Sequence, residues 1–131
     1  MSRESMEVVR RLFSAVSCGD GTAMLRELDP DVVLDVEGNA GQDLYRGHEG
    51  VTKSYVDWTE DFDEFQVVAE EFLDRGDCVV VRTRQTGSGR SSGIPMEGLF
   101  WFVCQVREGK VVRMHVLGSE QKALEAAGLR E

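Results

Sequence analysis

The chain is 131 residues long, with 24 acidic against 15 basic side chains and a net charge of -9. That length suits one domain able to bury roughly two-thirds of its unfolded surface, and 41% hydrophobic residues with only two prolines exclude a disordered chain. The negative balance disfavours nucleic acid, because Arg82, Arg84 and Arg90 are too few and too interleaved to attract a phosphate backbone.

The opening residues MSRESMEVVRRLF lack the uninterrupted apolar stretch of a signal peptide, so the cytoplasm is the expected location. No apolar run approaches the ~20 residues that cross a bilayer, and no membrane partner is expected. Met6, Val9, Leu12, Phe13 and Val16 recur at three and four residues, which predicts an amphipathic helix from about Glu4 to Ser17, stopped at Gly19. A shorter helix carrying Met24, Leu25 and Leu28 is expected to end at Asp29-Pro30, since the residue before a proline avoids helical dihedrals. DVVLDVE then reads as a strand.

A third helix is predicted from His48 to about Phe62, with Val51, Tyr55, Trp58, Thr59 and Phe62 on one stripe. Period two follows, with strands expected at Phe65 to Leu73, Val79 to Gln85, Met96 to Val106 and Val111 to Leu117. The turn signals DRGD, GSGRSSG and REGK separate them, and loops so short imply an antiparallel meander. A last helix, EQKALEAAG, has Ser119 as its expected N-cap and stops at Gly128. Helices first and strands after define an α+β fold: a curved antiparallel sheet packed on one side by helices.

The strand from Met96 to Val106 is apolar on both faces, with Met96, Gly98, Phe100, Phe102 and Cys104 on one and Leu99, Trp101 and Val103 on the other. Helices cover one face. A homodimer through the other, convex face is expected, with cover from a loop or the C-terminal helix as the alternative. Cys18, Cys78 and Cys104 have no C-x-x-C spacing and read as small buried side chains rather than a disulfide or zinc framework. GSGRSSG lies between two strands, so it is a hairpin tip rather than a phosphate cradle, which needs a following helix.

YRGHEGV at the third helix, EEFLDRGDCVVVRTRQTGSGRSSG across a strand pair and REGKVVRMHVLGSEQKALEAAGL at the end resemble SnoaL-like members of the nuclear transport factor 2-like superfamily. The resemblance spans about Glu4 to Leu129. It implies a single domain over residues 1–131, with a six-stranded cone-shaped half-barrel, three helices, a short C-terminal helix and a dimer. It also suggests a short extra strand within Leu44 to Arg46. The fold hosts polyketide cyclases, ketosteroid isomerases, hydrolases and non-enzymatic binders alike, so it leaves the activity open. His48, in the first turn of its helix, lacks an evident orienting partner and is assigned a structural or surface role rather than that of a base.

The periodicities point Leu12, Val16, Tyr55, Trp58, Phe62, Val32, Leu34, Val36, Phe100, Phe102, Met114 and Val116 inward, an apolar set suited to a flat, greasy ligand. His115 alternates to the opposite face. Similarity to ketosteroid isomerase places Leu12, Val36 and Phe102 where that family keeps its donor tyrosine, base and donor acid, so its mechanism is not expected here. Tyr55 matches a supporting tyrosine. Glu37 is the leading acid/base candidate, if the glycine-rich EGNAG bulges the strand end toward the pocket. The directions of Glu70 and Glu97 stay open. Two functions follow: a pocket protein for a small hydrophobic metabolite, with cofactor-independent proton transfer within reach, or a non-enzymatic binder or dimeric scaffold. Neither calls for a metal or a cofactor.

Overall fold

The computed structural model describes residues 2–38 and 41–128. The elements run α1 (Ser2–Cys18), α2 (Gly21–Arg26), β1 (Leu28–Gly38), β2 (Gly41–Arg46), α3 (Gly47–Thr59), β3 (Phe62–Arg75), β4 (Cys78–Gly89), β5 (Pro95–Arg107), β6 (Lys110–Leu117) and α4 (Glu120–Gly128). The strands form one six-stranded sheet in the order β2-β1-β6-β5-β4-β3. It is curved and unclosed, and all neighbours are antiparallel except β1 and β6, which run parallel.

The sequence pattern explains most of this. The apolar stripe of α1 buries Val8, Val9, Leu12 and Phe13 against the concave side of the sheet, where Val79 and Val81 of β4, Cys104 of β5 and Met114 of β6 complete the core. Aromatic contacts tie helix to sheet: Phe13 meets Phe102 edge to face with centroids 5.1 Å apart, and Phe72 at 6.4 Å. On the convex side α4 closes a second, smaller cluster, burying Ala123 and Ala127 against Cys78, Val80, Val103 and Leu117. Ser119 caps α4 as expected, its hydroxyl accepting from the Lys122 amide at 3.2 Å.

Three boundaries differ from the periodic reading. Helix α2 stops at Arg26, where the Glu27 amide bonds back to Leu25 and Met24, and Leu28 already belongs to β1. Pro30 therefore lies inside a strand. The β1–β6 register shifts between Leu28 and Val33, and a residue with no N–H fits such an irregularity without removing a ladder bond. Helix α3 ends at Thr59, short of Phe62, which opens β3. The sixth strand is β2, longer than the segment suggested by resemblance. Residues 39–40 of EGNAG and residue 129, the end of the resemblance, lie outside the described residues.

His48 has the structural role expected of it. Its Nε2 lies 2.9 Å from the Leu28 carbonyl, which ties the start of α3 to the start of β1. A carbonyl only accepts, so Nε2 carries the hydrogen. The preceding Gly47 has φ +72, and a Cβ there would come 3.2 Å from the Pro30 carbonyl oxygen, so glycine is needed at this turn. Cys78 and Cys104 are buried, and burial pushes the Cys104 thiol well above its ordinary range; Cys18, contrary to expectation, is exposed at the end of α1.

Candidate functional site

Between α1, α3 and the concave sheet lies a chamber of about 500 Å³. Helical spacing on α1 supplies Leu12, Phe13 and Val16. Strand alternation supplies Leu34 and Val36 from β1, Phe100 and Phe102 from β5, and Met114 and Val116 from β6. Helix α3 contributes Val51, Ser54, Tyr55, Asp57 and Trp58. Of the residues expected to face inward, Val32 is fully buried in the core beneath the chamber rather than on its wall.

Phe62 is a correction. It does not line the chamber; Phe65 does. Because α3 ends before it, Phe62 follows the geometry of β3, where Glu64 takes a left-handed φ of 54 and the β3–β4 register shifts between Asp63 and Gln66. That irregularity turns Phe65 toward Tyr55, whose ring it meets at 6.3 Å, while Phe62 stacks outside it at 6.2 Å.

Tyr55 is on the wall but 42% exposed, beside Val16 and Met24, and these three also line an adjoining hollow of about 310 Å³ between the helices. Glu37 reaches the rim, though not by a bulge: the β1–β2 register runs without a shift from Val33 to Gly38. Its carboxylate accepts from Lys122 of α4 at 2.8 Å, and that contact raises the Lys122 ammonium above its ordinary value. Among the described residues no carboxylate hydrogen-bonds to Tyr55. Asp35 points to the convex face, as alternation requires, yet it is only 5% exposed, beside Arg113 at 3.1 Å and His115 at 3.9 Å. Glu70 and Glu97 also face outward, in ion pairs with Arg84, and the hydrogen bond from Arg84 holds Glu70 below the usual carboxylate range.

Two wall groups escaped the periodic reading. Asp43 of β2 faces the chamber directly across from Val36, and β2 was recognisable only through resemblance. Gln85 of β4 is 4% exposed and accepts the Trp58 indole N–H at 2.8 Å. Counting two residues at a time from the apolar Val79 and Val81 would have found it. Among the described residues no lysine, arginine or histidine lines the chamber, and its polar groups are carboxylates, hydroxyls, the Trp58 indole and the Gln85 amide.

Comparison with known proteins agrees with this architecture. No curated protein matches the chain. A protein described as NTF2-like from Burkholderia thailandensis E264 is similar at TM-score 0.78 and 20% identity, with 97% of each chain covered. TerC, co-crystallised with polyporic acid, is similar at TM-score 0.75 and 20% identity over 95% of this chain and 98% of its own. A protein of ketosteroid isomerase-like fold from Catenulispora acidiphila, in complex with trimethylamine, is similar at TM-score 0.73 and 15% identity, covering 93% and 92%. At such identities the likeness extends to the fold alone. The SnoaL-like domain family matches residues 9–114, most of the length, and with the curved, unclosed six-stranded sheet and its helices this makes the chain a member of the SnoaL-like domain family.

Proposed function

We propose that this SnoaL-like chain, read as a single domain over its whole length, binds a small hydrophobic metabolite in the chamber between α1, α3 and the sheet. The observation that carries the reading is the volume of about 500 Å³ behind a wall built mostly of Leu, Val, Met, Phe and Trp side chains. Structural relatives hold polyporic acid and trimethylamine, which supports small-molecule binding by this architecture. Binding is favoured over proton transfer because Glu37, the best-placed acid/base candidate of the sequence, is engaged by Lys122 at the rim, and Tyr55 has no carboxylate partner among the described residues. Leu12, Val16, Val36, Trp58, Phe100, Phe102, Met114 and Val116 are the proposed contact residues, with Tyr55 at the entrance. Native mass spectrometry of the purified protein is expected to show an apolar small molecule released on denaturation. A ligand-free mass that also takes up no added apolar dye would reject the reading.

The dimer through the convex sheet face belongs to the same proposal. Helix α4 covers Val80 and Val103 but leaves Leu99 37%, Val68 46% and Leu44 52% exposed on that face, beside the half-buried Trp101. A second copy would remove these side chains from water. Light scattering at micromolar concentration should return twice the chain mass, and a monomeric mass would count decisively against this interface.

A further inference from the structure

The inward series of β4 runs Val79, Val81, Thr83 and Gln85, all buried, and only its last two members are polar. Thr83 donates its hydroxyl to the Phe100 carbonyl at 2.9 Å, so that group is satisfied within the sheet. Gln85 differs. Its Oε1 accepts from Trp58 Nε1 at 2.8 Å, and an indole nitrogen only donates, so the amide must present oxygen to it. The side chain therefore has one orientation instead of two. Among the described residues Trp58 is the one hydrogen-bond partner of this side chain, which leaves Nε2, on the other branch of the amide, to donate into the chamber that Gln85 lines.

The side chain as a whole is buried, and the face that Nε2 keeps open is the one toward the chamber, so a molecule that enters meets a donor already aimed at it. The other wall groups point to what fills it. Glu37, Asp43 and Asp57 accept hydrogen bonds and repel an oxygen-bearing group, while Tyr45, Ser54 and Tyr55 are not buried and have water as a competitor. Next to the amide the chamber is built for a flat ring. Trp58 and Phe100 meet edge to face at 5.5 Å, and Gly98, directly opposite Gln85 on β5, leaves room for the Phe100 ring, whose Cε2 would lie 3.0 Å from any Cβ at that position.

We infer that Gln85 Nε2 is the chamber's anchor for an acceptor oxygen, so that the site selects flat apolar molecules carrying a carbonyl, with Trp58 holding the amide in its donating orientation. This rests on the chamber being a ligand site, and the test separates the two statements. Fluorene and 9-fluorenone share one three-ring skeleton and differ by a methylene against a carbonyl. In a fluorescence titration the wild-type protein should hold 9-fluorenone about tenfold more tightly than fluorene, the worth of one additional buried hydrogen bond. Gln85→Met should abolish that preference while still binding fluorene. Gln85→Glu at pH 8 keeps an oxygen for the Trp58 indole but has no amide donor; it should also lose the preference, and it serves if the methionine variant fails to fold. Equal wild-type affinity for the two probes, or a preference that survives in the folded Gln85 variants, overturns the inference and leaves the chamber reading intact. Wild-type protein that binds neither probe overturns the chamber reading itself.

Discussion

Phe13→Ala is expected to lower the stability of the protein by about 3–5 kcal/mol in urea denaturation, the usual cost of removing a buried aromatic side chain. Phe13 is only 3% exposed and makes two edge-to-face contacts, to Phe102 on β5 and Phe72 on β3. It therefore joins α1 to the middle and the edge of the sheet at once. The chamber lies beside it, so the surroundings have little reason to collapse into the space left behind. Against a total stability of roughly 5–15 kcal/mol for a domain, such a loss should bring the melting temperature down by roughly 10–20 °C. A drop under about 1 kcal/mol would mean that α1 is held by its other core residues and that this aromatic bridge matters little.

Val116→Trp should block the chamber without unfolding the chain. Val116 lies on its wall, across β6 from Phe102 on one side and Val36 on the other, with all three side chains directed inward. An indole there has open space to enter, so the usual penalty of about 1–3 kcal/mol for overfilling a packed core is an upper bound. Ligand affinity has no such margin, because the volume taken is the volume the ligand needs. Nile red, titrated by its fluorescence, is expected to bind the variant at least tenfold more weakly than the wild type, a loss of about 1.4 kcal/mol or more. An unchanged affinity in a folded variant would place dye binding somewhere other than this chamber.

The wall of the chamber was legible wherever one regular element supplied it. Leu12 and Val16 follow from helical spacing on α1, and Phe100, Phe102, Met114 and Val116 from alternation on β5 and β6. Errors arose where one element gave way to another. Phe62 fits the apolar stripe of α3 by spacing alone, but the helix stops at Thr59 and a left-handed Glu64 hands the inward position to Phe65. Pro30 reads as a helix stop, yet the helix had already ended and proline occupies an irregular stretch of β1. Gln85 went unnoticed because a glutamine at the end of a strand resembles a solvated edge until its neighbours are known.

By itself the sequence determined the α+β order of elements, the inward faces of α1, β1, β5 and β6 and the capping of α4 by Ser119. These depend on spacing and backbone chemistry over a few residues, which the order of side chains carries directly. Tertiary structure alone decided that β1 lies parallel to β6, that Lys122 of α4 reaches back to Glu37, and that Trp58 and Gln85, 27 residues apart, share a hydrogen bond inside the chamber. Each of those depends on the curvature of the whole sheet bringing distant segments within about 3 Å of one another, a distance that no local pattern encodes.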